Sequence, residues 1–193
     1  MSQFEIDWSR LYAARNSVTR QFPTIWGIPV VKKEMSRLAV HARDDAKVLD
    51  VGAGDRRFEG KMREACGTLQ YRSFDIDRSR HHDYYAIDDI EGQYDLIFAF
   101  EVIEHMSPAD GLRMVANLRE HLAPGGTLLL GTPNLYHPHR YFGDLTHVTP
   151  YKYEELGALL VLAGYRVTGF YRILHRWLGI DFAHTVMVEA VAA

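Results

Sequence analysis

Residues 48–55, Val48-Leu49-Asp50-Val51-Gly52-Ala53-Gly54-Asp55, read as a buried strand that runs straight into a glycine turn. Val48, Leu49 and Val51 make a short apolar, β-leaning run, and the two glycines permit backbone conformations and a closeness of approach that a Cβ forbids. A ligand can therefore lie against the main chain here. In an open parallel sheet ligands bind beyond the carboxyl ends of the strands, so the position of the turn matters as much as its composition.

Working downstream, residues 58–66 predict a helix whose amino end faces the ligand, and residues 69–74 a second strand ending in Asp75-Ile76-Asp77. Only residues 78–83 separate this from a possible third strand at 84–87, too few for a crossover helix, so that strand is short or its crossover has degenerated. Residues 94–100 are apolar enough for a central strand buried on both faces. Ser107 reads as an N-cap, with Pro108 in the first turn and Asp110 favoured there by the helix dipole. The helix carries an apolar stripe of Leu112, Val115, Leu118 and Leu122, and Ala123-Pro124-Gly125-Gly126 ends it. A fifth strand at 127–130 leads into a long irregular segment rich in His and Tyr, which runs to Thr149; loops of that length are often functional. Pro150 opens a helix to Ala163, Gly164 takes the C-terminal position, and two strands follow near 165–173 and 184–191.

Upstream, Phe4, Trp8, Leu11 and Tyr12 recur at helical spacing over residues 3–20, residues 22–29 interrupt, and a second helix is expected from Pro29 to about Arg43. Residues 1–46 are thus expected to form a helical extension, lying across the mouth of the site or over a sheet edge, and residues 47–193 the main domain.

The 193 residues suit one domain with a substantial core. A net charge of -3 with scattered Lys and Arg provides no basic stripe, which argues against a nucleic-acid partner and for a small or neutral substrate. Cys66 is the single cysteine, so neither an intramolecular disulfide nor a Cys-based zinc site is available, in keeping with a reducing cytosol. No run has signal-peptide or membrane-span character, and a soluble, cytoplasmic protein without membrane attachment is the expectation.

Two large families place a glycine turn after the first strand and a ribose-binding acid after the second, and Asp75 suits either. The dinucleotide fingerprint G-x-G-x-x-G, counted from Gly52, requires a third glycine where this chain has Arg57. The other family fits better. Four stretches in order, VLDVGAGD (48–55), FDID (74–77), YDLIFAFEVIEHM (94–106) and LAPGGTLLLGTPN (122–134), resemble the motifs of class I S-adenosylmethionine-dependent methyltransferases. The resemblance covers roughly Lys47 to the C-terminus. It implies an α/β, Rossmann-like, seven-stranded, mostly parallel sheet with an antiparallel last strand and helices on both faces.

It also implies residue roles. Gly52 and Gly54 would admit the methionine end of S-adenosyl-L-methionine against the backbone, with Asp50 fixing its amino group directly or through water. Asp75 would take the ribose hydroxyls, Ile76 would flank the adenine, and Asp88, or its neighbour Asp89, would accept from the exocyclic amine. The Phe100 carbonyl, with Glu101 beside it, would face the sulfonium. One departure stands inside the turn: the family often has a third glycine where this chain has Arg56.

Methyl transfer from a sulfonium is an in-line displacement that needs alignment and exclusion of water, with no metal and no covalent nucleophile. A hydroxyl acceptor additionally needs a base. His105, after the fourth strand, and His147, in DLTHVTP (144–150), are the candidates, His147 the better placed. His137, His139 and His147 include a pair one residue apart, but no metal site is expected from them. Tyr136, Tyr141, Phe142 and Tyr151 offer aromatic surface for an acceptor pocket. The expected activity is O-methylation of a small-molecule or sugar-type acceptor, with S-adenosyl-L-homocysteine as the cofactor product. A cofactor-binding protein of the same fold without catalysis and a nicotinamide oxidoreductase are the competing readings; the oligomeric state is left open.

Overall fold

The computed structural model describes residues 6–137, 139–177 and 180–193. In chain order its helices and strands are α1 (Trp8–Gln21), β1 (Val30–Val31), α2 (Met35–His41), β2 (Lys47–Val51), α3 (Glu59–Ala65), β3 (Gln70–Phe74), β4 (Tyr94–Phe100), α4 (Pro108–Glu120), β5 (Leu122–Pro133), α5 (Tyr153–Leu162), β6 (Tyr165–Trp177) and β7 (Ile180–Ala192). Short 3-10 turns lie at Ile25–Gly27, Ile87–Asp89 and Ile103–His105. The strands form one seven-stranded sheet in the order β1-β6-β7-β5-β4-β2-β3. β7 runs antiparallel to both its neighbours, and every other pair is parallel.

The alternation of side chains along the strands places helices on both faces. Leu49, Val51, Ile97, Ala99, Leu128 and Leu130 belong to one apolar layer together with Val18 of α1, Val115 of α4 and Leu156 of α5. Val48, Leu96, Phe98 and Leu129 belong to the other, against Leu38 of α2 and Met62 of α3. This double burial is why β2 and β4 are almost continuously apolar. The sheet therefore delivers the ends of β2, β4 and β5 side by side, with Val51 opposite Ala99 and Phe100 opposite Gly131.

Four local expectations are corrected. Val30 and Val31, read as helix, form a strand that pairs in parallel with β6; both are β-branched, and the Pro29 carbonyl accepts from the Arg172 N–H at 2.8 Å. The helix starts only at Met35. The third strand is a single parallel bridge, Phe74 to Tyr84, followed by the turn at Ile87–Asp89, because the preceding connection is too short to lift the chain over the sheet. So the seventh strand comes from the N-terminal edge. β5 continues through Pro124-Gly125-Gly126, where the pairing slips between Tyr94 and Leu96, so the glycines mark a bulge and not a break. The last helix begins at Tyr153 in place of Pro150.

Residues 3–5 of the first predicted helix lie outside the described residues; α1 begins after Asp7, whose carboxylate accepts from the Arg10 N–H at 2.9 Å. α1 packs on α5: Arg15 pairs with Glu155 at 3.1 Å, and the Tyr153 hydroxyl donates to the Phe22 carbonyl at 2.9 Å. The Phe22 and Phe170 rings meet edge-on. No helix among the described residues is long and apolar enough to cross a membrane.

Candidate functional site

The glycine turn after β2 is tied to the end of β3, since the N–H groups of Gly52 and Ala53 both donate to the Phe74 carbonyl, at 2.8 and 3.1 Å. Gly52 has φ +70°, and a Cβ there would stand 2.3 Å from Cγ2 of Val102, so only glycine fits. The N–H of Gly54 donates to Oδ2 of Asp75 at 2.8 Å, while Oδ1 accepts from the Asp77 N–H at 2.9 Å. Asp75 is thus joined directly to the turn.

Arg56, where a third glycine was expected, has φ +56°. A side chain in this left-handed region is strained. Its guanidinium stands 3.0 Å from Glu59 and 3.8 Å from Asp83, and it donates to the His81 carbonyl at 3.3 Å. These contacts clamp the turn to the loop beyond β3 and hold the strained backbone.

A cleft of about 300 Å³ opens at the carboxyl ends of β2 and β4, lined among others by Asp50, Gly52, Gly54, Phe100, Glu101 and Arg140. No described residue of the N-terminal segment lines it. Asp50 is buried and accepts a hydrogen bond from the Tyr71 hydroxyl. Burial pushes its carboxyl up to about 7, against the opposing pull of the Tyr71 hydrogen bond and the nearby Arg57 charge. The Phe100 ring packs edge-on against Phe58, and both residues line the cleft. Glu101 also has a positive φ, +59°; its carboxylate is held by Arg140 at 2.9 Å and by the Thr185 hydroxyl at 2.9 Å.

Three expected cofactor contacts, Asp75, Ile76 and Asp88, fall outside this lining, although Asp75 is bonded to Gly54 within it. Ile76 stands beside Asp75 with 80% of its surface exposed, an apolar side chain facing solvent. Asp88 is exposed on the Ile87–Asp89 turn, as is Asp89.

The two expected histidines come together where the long loop returns over the end of β4. Their rings are 4.9 Å apart and edge-on. His147 Nδ1 donates to the Tyr141 carbonyl at 2.7 Å, and its Nε2 stands 4.0 Å from Glu104 and 3.9 Å from Asp144. His105 Nδ1 lies 3.2 Å from the Thr146 carbonyl and 3.0 Å from its hydroxyl. Between them and the sheet lies Glu104, fully buried. Its Oε2 accepts from the Thr132 hydroxyl at 3.3 Å, its Oε1 has no hydrogen-bond partner, and Oε1 is 4.0 Å from His147 Nε2. Burial, reinforced by the Glu101 charge, pushes this carboxyl up to about 8. The Glu104 carbonyl accepts from the N–H groups of Val148 and Thr149, at 2.7 and 3.0 Å, so the acid also anchors the loop.

Glu104 and Arg140 are among the site residues without a predicted role, as are Asp55, Arg57 and Phe58 of the cleft lining. Glu104 carried a visible sign, a lone acid between Ile103 and His105 just past an apolar strand. Arg140 carried none, because an irregular loop has no period from which to read a direction.

The comparisons with known proteins bear on the family and the fold. A family model described as "Methyltransferase domain" matches residues 26–169. No curated protein matches the chain in sequence. Among solved structures the fold is similar to that of the O-methyltransferase NcsB1 from neocarzinostatin biosynthesis, in complex with S-adenosyl-L-homocysteine and 1,4-dihydroxy-2-naphthoic acid: TM-score 0.62 at 17% identity, covering 82% of this chain and 53% of that one. The chain thus spans about half the length of NcsB1. The glycopeptide N-methyltransferase MtfA, complexed with sinefungin, gives a TM-score of 0.62 at 15% identity, covering 86% and 88%. An S-adenosylmethionine-dependent methyltransferase from Clostridium acetobutylicum ATCC 824 gives 0.60 at 10% identity, covering 98% and 93%.

Proposed function

The chain belongs to the methyltransferase-domain family and is an S-adenosylmethionine-dependent enzyme, and from that premise we propose that it methylates a hydroxyl of a small-molecule or sugar-type acceptor. The observation that carries this reading is the glycine turn that lines the β2–β4 cleft and is joined through the Gly54 N–H to Asp75. The residues present fit the cofactor: Gly52 and Gly54 line the cleft, with open space where a Cβ of Gly54 would stand, Asp75 presents a carboxylate for ribose hydroxyls, and Ile76 offers apolar surface for a base. Asp50 would order the amino end, and Phe100 and Glu101 would border the sulfonium; Asp88 is the partner proposed for the adenine amine.

Bound there, S-adenosylmethionine supplies an electrophilic methyl group on a sulfonium. The protein's part is to hold acceptor and methyl in line and keep water out. The loop carrying Arg140 and His147 closes the acceptor side. A hydroxyl acceptor must lose its proton, and His147, its ring fixed by the Tyr141 carbonyl, is the side chain proposed to face it, with His105 alongside. The O- and N-methyltransferases among the similar folds leave the acceptor atom to experiment.

The test begins with thermal shift. S-adenosylhomocysteine at a hundredfold excess over its Kd is expected to stabilise the protein by about 2.7 kcal/mol, while NADH does nothing. Asp75→Ala abolishes the shift. Transfer of labelled methyl to a panel of sugars, hydroxylated metabolites and amines then reads the acceptor atom: product on oxygen supports the proposal, and label found on nitrogen alone sinks it.

A further inference from the structure

We propose that Glu104, His105 and His147 form a binding site for a divalent cation of the zinc class just past β4, where the long loop returns over it. Each of the three offers a ligand atom, and these atoms lie within 4.8 Å of one another. Glu104 makes the case specific, because it is a fully buried acid whose Oε1 is aimed at His147 and has no hydrogen-bond partner. At 4.0 Å the Oε1 to Nε2 separation is too long for a hydrogen bond. Two ligands on one ion at about 2.1 Å each stand roughly 3 to 3.5 Å apart, so a small inward movement brings both onto a cation.

The imidazoles are set for this task. Metal-binding histidines generally donate their second ring N–H to a carbonyl or hydroxyl, which fixes the ring and leaves the other nitrogen to the metal. His147 does so to the Tyr141 carbonyl, and His105 faces the Thr146 carbonyl and hydroxyl with the same nitrogen. The Thr132 hydroxyl steadies the other carboxylate oxygen of Glu104. The nearby Arg140 charge is already engaged by Glu101, so it does not serve as the counter-ion of Glu104. Asp144, with Oδ2 3.9 Å from His147 Nε2, stands within reach as a further oxygen donor. Two imidazoles and one or two carboxylates suit zinc, manganese or cobalt better than magnesium or calcium.

A set of three protein ligands leaves a position open, and a hydroxyl bound there would lose its proton to solvent water more readily. The cation would then do the work otherwise assigned to a histidine base, its ligands being those same histidines. That consequence rests on the methyltransferase reading with a hydroxyl acceptor; the binding of the cation does not.

The experiment uses the full chain, stripped with EDTA and titrated with ZnCl₂ by calorimetry and with CoCl₂ by visible absorption. One equivalent of zinc is expected to bind, with a cobalt spectrum of low coordination number. Glu104→Gln, which keeps shape and removes the carboxylate ligand, is expected to fold and to weaken zinc by at least about tenfold; the pair His105→Gln/His147→Gln should weaken it further. His139→Gln, an exposed loop change, should leave it intact. Absence of stoichiometric binding, or equal affinity in Glu104→Gln and the parent chain, overturns the site. Thermal shift with S-adenosylhomocysteine runs in parallel: zinc binding without that shift supports the cation site and counts against the methyltransferase reading, whereas the shift without zinc binding overturns the cation site alone.

Discussion

Arg56 is the residue at which local strain and tertiary contact can be weighed against each other. Its positive φ favours glycine, yet its guanidinium reaches Glu59, Asp83 and the His81 carbonyl. Arg56→Ala keeps the strain and loses the contacts, while Arg56→Gly loses both. The glycine variant is therefore expected to be the more stable of the two by about 1 kcal/mol, measured by urea denaturation. Asp50 makes a second prediction. Its carboxyl titrates near 7 when folded and near the ordinary carboxylate range when unfolded. Below both values it contributes nothing. As pH rises from about 4 to 7 the unfolded chain loses this proton first, so stability falls over that window, by an amount on the order of 4 kcal/mol. Asp50→Asn, whose amide oxygen can still accept from Tyr71, should gain on the parent protein steadily from pH 4 to 7 and hold a constant advantage above it, read from melting temperatures across that range.

At the scale of elements, the contact between α1 and α5 depends on Gly157. A Cβ there would lie 2.9 Å from the Phe170 ring and 3.0 Å from both Val18 methyl groups. Gly157→Ala should raise intrinsic helix propensity and still destabilise, by about 1 to 3 kcal/mol, because the core must shift to admit one methyl. A stabilised Gly157→Ala protein would mean that α1 is loosely held. The same reasoning explains the third strand. Phe74 and Tyr84 make one bridge, and the Tyr84 hydroxyl meets that of Tyr94 at 3.1 Å, so side chains hold in place a segment too short to build a ladder.

On the scale of the whole molecule, residues 6–46 contribute to both apolar layers. Val18, Ile25 and Ile28 pack into one and Leu38, fully buried, into the other, while Arg37 pairs with Glu189 of β7 at 2.6 Å. A chain trimmed to residues 47–193 is expected to expose these surfaces and to lose several kcal/mol, seen as a lowered melting temperature or as aggregation on purification. Retention of parental stability by that piece would make the N-terminal segment a removable extension.

How much of this could be read from the chain alone follows from the range of the forces involved. β4, α4 and the glycine turn were legible because periodicity, capping and left-handed glycines are local, and each is written within a few consecutive residues. β1 was misread because two residues have no period, and its partner β6 lies far away in the chain. Asp75 was predicted from its place after the second strand, and its hydrogen bond to Gly54 is a product of the β2–β3 pairing. The sequence by itself determined where the ligand turn stands, since an apolar run and its glycines are local, and it indicated the architecture through the resemblance of four ordered motifs to a known family. Only the tertiary structure decided that Glu104 is buried without a partner against His147, that Arg140 closes on Glu101, and that Arg56 is held in a glycine conformation. Those outcomes depend on charges brought together across the sheet, where desolvation and distance, neither visible in a linear chain, set the strength of each contact.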